Sequence, residues 1–181
     1  MQTYIALLRG INVSGQKPVP MAELQKLFEK LGHIGAKTFI QSGNVVFRSD
    51  SADARKLAAA IEAAILKKFA FDVPVILRTT EALEAALRGN PYAKKKLAEG
   101  ERVYISYLDA APAQEKAKAL ADHSDAVDEL KLIKTEVYVL ARNGYGKSKL
   151  SNAFLEKKLG VRATTRNLET TAKLIEMAKA L

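Results

Sequence analysis

The segment Arg142-Asn143-Gly144-Tyr145-Gly146-Lys147-Ser148 gathers cations, amides and hydroxyls around two glycines. Side chains of these types hold anions: guanidinium and ammonium groups supply charge, and glycine lets backbone N–H groups come close. Thr164-Thr165-Arg166-Asn167 has the same character, and so do Arg9-Gly10-Ile11-Asn12 and Gln41-Ser42-Gly43-Asn44. The candidate ligand-binding residues are therefore Arg9, Asn12, Gln41, Ser42 and Asn44 in one cluster. Arg142, Tyr145, Lys147, Ser148, Thr165, Arg166 and Asn167 form the other. The competing reading is structural, with Ser42-Gly43 a tight turn and Ser148 and Asn167 helix caps.

Other chemistries lack their residues. Gly146-Lys147-Ser148 resembles the end of a phosphate loop, but Ala141 stands where that motif needs its first glycine. There is no cysteine, which removes disulfides, thiolate metal sites and thiol nucleophiles. The two histidines, His33 and His123, have no metal-ligand spacing. No pair of carboxylates accompanies either polar cluster. No catalytic residue, metal or cofactor is assigned from these motifs.

Elements must place these clusters. A strand from Thr3 to Arg9 leads through a long loop to a helix opened by Pro20, with an apolar stripe at Met21, Leu24, Leu27, Phe28 and Leu31. Thr38–Gln41 and Asn44–Arg48 read as a hairpin turning at Gly43. Leu57, Ile61, Ile65 and Phe69 mark a second helix, and Val73–Leu77 a strand that Pro74 confines to a sheet edge. This order, βαββαβ, is read again after a helix at 80–87. It comprises a strand at 102–108, a helix at 112–121, a hairpin at 126–134 and 136–141, a helix through Leu159, a strand at 161–165 and a closing helix.

The expected fold class is α+β: two tandem ferredoxin-like antiparallel sandwiches, one over residues 1–89 and one over 90–181. Strand order 4-1-3-2 brings the end of the first strand beside the first hairpin turn, which gathers the Arg9 and Gln41 segments. In the second copy, the Arg142 and Arg166 segments converge on one rim. The first strand is apolar on both faces, Tyr4, Ala6 and Leu8 on one and Ile5 and Leu7 on the other. Its second face therefore needs cover, from the other half or from a second copy in a homodimer.

The chain has a formal net charge of +9 and 48% hydrophobic residues. Residues 142–166 hold seven basic residues against Glu156 alone, whereas 99–136 hold nine acidic and five basic ones. The local excess points to an anionic partner near the C-terminal third. No apolar run approaches the roughly 18 residues of a membrane-spanning helix, and no secretory leader is visible. The expectation is a cytoplasmic protein with no membrane partner.

Arg9-Gly10-Ile11-Asn12-Val13, Pro20-Met21-Ala22-Glu23-Leu24, Gln41-Ser42-Gly43-Asn44-Val45-Val46-Phe47, Lys149-Leu150-Ser151-Asn152-Ala153-Phe154 and Thr164-Thr165-Arg166-Asn167 occur here in that order. The set resembles the domain of unknown function 1697 family of bacterial proteins, over nearly the whole chain. That resemblance implies tandem ferredoxin-like units and brings no activity, cofactor or substrate. Residues 167–170 read Asn-Leu-Glu-Thr where the family often has Asn-Trp-Asn-Thr.

Three functions follow. The first is binding of a small phosphorylated or carboxylated ligand, or of nucleic acid, since RNA-recognition modules share the βαββαβ order. The second is an enzyme acting on a phosphorylated metabolite held by Arg142, Lys147 and Arg166. The third is a homodimeric interaction module. The clusters are rich in donors and poor in paired acids and bases, which favours binding.

Overall fold

The computed structural model describes residues 1–123 and 127–181. By packing, the chain divides into two units, Met1–Glu84 with Ala172–Leu181, and Ala85–Thr171. The sequence reading places one division near residue 90. Each unit contains a four-stranded antiparallel sheet backed by helices.

In the first unit the strands are β1 (Gln2–Leu8), β2 (Ile34–Phe39), β3 (Asn44–Ser49) and β4 (Val75–Thr79), in the order β2-β3-β1-β4. Helix α1 (Met21–Lys30) follows Pro20, whose fixed φ suits a helix start. It buries Leu24, Leu27 and Phe28. Helix α2 (Ala54–Phe69) is capped by Asp53, which accepts from the N–H groups of Arg55 and Lys56. Its Leu57, Ile61 and Ile65 complete a core with Tyr4, Ala6, Leu8, Val45 and Phe47. Burial of each such aliphatic side chain contributes about 1.5–3 kcal/mol. Ile5 and Leu7, on the other face of β1, are fully buried as well.

In the second unit, α3 (Thr80–Arg88) leads in from the first. The strands are β5 (Arg102–Leu108), β6 (Glu129–Ile133), β7 (Glu136–Ala141) and β8 (Ala163–Asn167), in the order β6-β7-β5-β8. Helices α4 (Gln114–Ala121) and α5 (Asn152–Leu159) cover Leu108, Val137, Val139 and Ala163. Helix α6 (Leu168–Lys179) closes the chain. Among the described residues, no helix is long and apolar enough to cross a membrane.

Several strands differ from the sequence reading, β6 among them, which spans Glu129–Ile133 rather than 126–134. β2 lies at 34–39 rather than 38–41, so Gln41 belongs to the turn. Gly35, at φ +67°, and a register break between Ile34 and Lys37 disguise its first half. β4 starts two places later than read, because Pro74 precedes it instead of lying within it. β8 runs through Arg166 and Asn167, which the sequence reading left beyond the strand; its threonines favour extended backbone. Ala126, the first residue of the second hairpin as read, lies outside the described residues.

Candidate functional site

In the first unit, the long loop after β1 meets the β2–β3 turn, as the topology requires. Asn12, at φ +55°, closes the loop: its Nδ2 donates to Val19 O and Gln41 O, both at 2.9 Å. Its Oδ1 accepts from Val19 N–H at 2.8 Å. Asn44 is fully buried and donates to Phe39 O at 2.9 Å and Ser42 Oγ at 3.2 Å. A Cβ on Gly43 would come within 2.6 Å of Ile11 Cδ1 and 2.9 Å of Leu8 Cβ, so only glycine fits beneath the loop. Gln41 is exposed and Arg9 half-buried. The five residues come together, and the amides of Asn12 and Asn44 are occupied in holding backbone.

The second cluster belongs to the second unit. β7 and β8 flank β5; Ala141 lies opposite Arg102 and Asn167 opposite Tyr104, so both strands end at one edge of the sheet. The Arg142–Ser148 and Thr164–Asn167 segments therefore converge. Their meeting point is Thr165. Its hydroxyl lies 2.7 Å from Asn152 Oδ1, 2.6 Å from Ser106 Oγ and 2.8 Å from Tyr145 OH. The amide oxygen of Asn152 only accepts, so Thr165 gives its single proton there. Ser106 and Tyr145 then donate to Thr165. The Tyr145 ring also packs on Tyr104, centroids 5.0 Å apart and planes tilted by 36°.

Neither arginine faces outward in the way an anion clamp requires. Arg142 Nε donates to Glu101 Oε1 at 3.1 Å, Nη2 to Glu129 Oε1 at 2.6 Å and Nη1 to Val127 O at 2.8 Å. Its backbone N–H donates to Asp128 Oδ1 at 2.9 Å. Arg166 is 7% exposed, and its Nη1 donates to Thr164 Oγ1 and Thr165 O. Burial pushes its pKa down to about 10, against the attraction of Tyr107. Strand alternation turns Arg166 to the face opposite Thr165.

Capping accounts for further members. Asn167 Oδ1 accepts from Thr170 N–H at 2.7 Å, at the start of α6. Ser148 Oγ accepts from Leu150 N–H, while Ser151 caps α5 by accepting from Phe154 N–H. A short 3-10 turn, Tyr145–Lys147, stands between β7 and that helix.

What faces outward is a groove of about 340 Å³ lined by Val127, Asp128, Asn143, Gly144, Lys147 and Lys149. Lys147, Lys149 and Asn143 are exposed, and none has a side-chain partner among the described residues. Sequence reasoning missed Asn143, Lys149 and Asn152 as site residues, and missed the carboxylates that occupy Arg142. Asn152 could have been suspected as the residue after the Ser151 cap, in the first turn of the helix that faces the sheet end. Nothing in the sequence links Glu101 to Arg142.

Residues 1–138 match the family described as Protein of unknown function (DUF1697), and the chain belongs to that family. The matched stretch contains the whole first cluster and ends before Arg142, so the late motifs lie beyond it. Among solved structures, the conserved bacterial protein SP0830 from Streptococcus pneumoniae is 24% identical, with a TM-score of 0.77 over 98% of each chain. That likeness concerns the fold. An unknown protein from Galdieria sulphuraria is 12% identical and covers 92% of this chain and 98% of its own, with a TM-score of 0.28. No curated protein matches the chain.

Proposed function

We propose that this DUF1697 protein is a cytoplasmic binder of a small phosphorylated or carboxylated ligand, taken up in the second unit's groove. Lys147 and Lys149 supply the charge, and Asn143 a donor. The observation that carries this reading is the contrast among the cations. Arg142 is occupied by Glu101 and Glu129, whereas the two lysines line the groove without an ion pair among the described residues; Asp128, which shares that lining, accepts from the Arg142 backbone N–H. The enzyme reading relied on Arg142, Lys147 and Arg166 together, and only Lys147 lines the groove.

A nucleic-acid strand laid across a sheet has less support. Of the sheet aromatics, Tyr4, Phe47 and Tyr138 are 4%, 0% and 2% exposed and Tyr104 is half-buried, which leaves a run of successive bases one sheet ring to stack on. We also read each unit as ferredoxin-like. Both follow the order βαββαβ with the strands arranged 4-1-3-2, counted within each unit.

Titration calorimetry with inorganic phosphate and pyrophosphate tests the binding reading. A charge-assisted contact contributes about 1.5–3 kcal/mol, so the Lys147→Ala/Lys149→Ala double variant should bind at least about ten-fold more weakly. Its melting temperature should stay unchanged, because neither side chain holds the fold. No binding by the wild type, or equal binding by the double variant, rejects the proposal.

A further inference from the structure

We infer that the ligand is a nucleotide, its phosphate on Lys147 and Lys149 in this groove and its base beyond Gly144, against the Tyr104–Tyr145 pair outside the groove's lining. This rests on the anion-binding reading above and names the class of ligand. Tyr145 and Lys147 lie two positions apart in one 3-10 turn, with Lys147 lining the groove and Tyr145 outside its lining. Tyr145 directly follows Gly144, which lines the groove.

The ring is fixed before any ligand arrives. Its hydroxyl is held by Thr165 at 2.8 Å and its face is tilted on Tyr104, while both tyrosines stay partly exposed. A pre-positioned aromatic loses little freedom when a base stacks on it.

The glycines on either side of Tyr145 carry the argument further. A Cβ at Gly144 or at Gly146 would meet no described atom within 4 Å. Gly144 has φ +80°, which explains its identity. Gly146 has no such reason: its φ is not left-handed, nothing crowds it, and glycine weakens a helical turn relative to alanine. Gly146 is exposed and uncrowded, so the backbone there can be approached closely from outside the chain. Asn143 adds a donor and an acceptor, the combination that a base edge presents. The groove, at about 340 Å³, falls within the range of small-ligand sites.

Calorimetry with AMP, ribose 5-phosphate and inorganic phosphate separates the possibilities. Stacking of one base should give AMP roughly a ten-fold advantage over ribose 5-phosphate. Tyr104→Ala should erase that advantage and leave ribose 5-phosphate binding unchanged. Gly146→Ala should weaken AMP while the melting temperature holds or rises, and it decides the matter should Tyr104→Ala fail to fold. Equal affinity for AMP and ribose 5-phosphate in the wild type overturns the nucleotide assignment and leaves anion binding standing. Failure of all three probes removes both.

Discussion

Thr165 shows how one hydroxyl can organise a site. It uses its proton and both lone pairs, joining β5, β8, α5 and the turn that carries Lys147. Valine has the same shape and none of these bonds, and Ser106, which is fully buried, would lose its partner. An unsatisfied buried hydroxyl costs about 1–3 kcal/mol. Thr165→Val should lower the unfolding free energy by that amount in urea titrations, and Thr165→Ser should recover most of it. His33 makes a different prediction. Its ring lies 4.7 Å from that of Phe47 and 5.9 Å from that of Phe28, and burial lowers its pKa below 6.5. The fold therefore holds the neutral imidazole, and the unfolded chain takes up the proton first. Stability from this group is complete above about pH 6.5 and is lost as pH falls through the folded pKa. Unfolding titrations between about pH 7 and 5.5 should show that slope, and His33→Gln should flatten it.

Elements were legible where their apolar period was clean and obscure where a single residue broke it. The stripes of α1 and α2 and the turn at Gly43 could be read directly, because periodicity and glycine punctuation are local signals. β2 was not, since its left-handed Gly35 and register break fall within the strand and imitate a loop. The β2–β3 turn hides another feature. Ile40 has φ +49° and is 47% exposed. A β-branched residue there is strained by about 1–3 kcal/mol, and its side chain contributes little burial in return. Asparagine tolerates that backbone region. Ile40→Asn should therefore stabilise the protein by about 0.5–1 kcal/mol, and a rise of a few degrees in melting temperature checks it. A fall would show that the isoleucine side chain matters more to the turn than its backbone strain.

At the scale of the whole molecule, net charge was readable and its distribution among partners was not. Residues 142–166 look uniformly basic in the sequence. Yet Asp109 binds Arg162 at 2.7 Å across 53 positions, Glu101 binds Arg142 across 41, and Arg166 is buried. Such pairings depend on which strands the fold makes neighbours, so no spacing along the chain announces them. The same applies to Ala172–Leu181, which packs with the first unit although it follows the second in order. The field left for a ligand is then smaller than +9 suggests, and salt dependence measures it. A small anion on two lysines displaces few counterions, so its affinity should fall by about one to two decades per decade of salt. A strand contacting about five phosphates would fall by roughly 3.5 to 4.5 decades. Dissociation constants for pyrophosphate and for a ten-nucleotide single strand, measured from 50 to 500 mM salt, separate the two cases. A steep slope for the strand, together with tighter binding than pyrophosphate, would assign the exposed lysines to a polyanion; a shallow slope for pyrophosphate with negligible strand binding supports the groove.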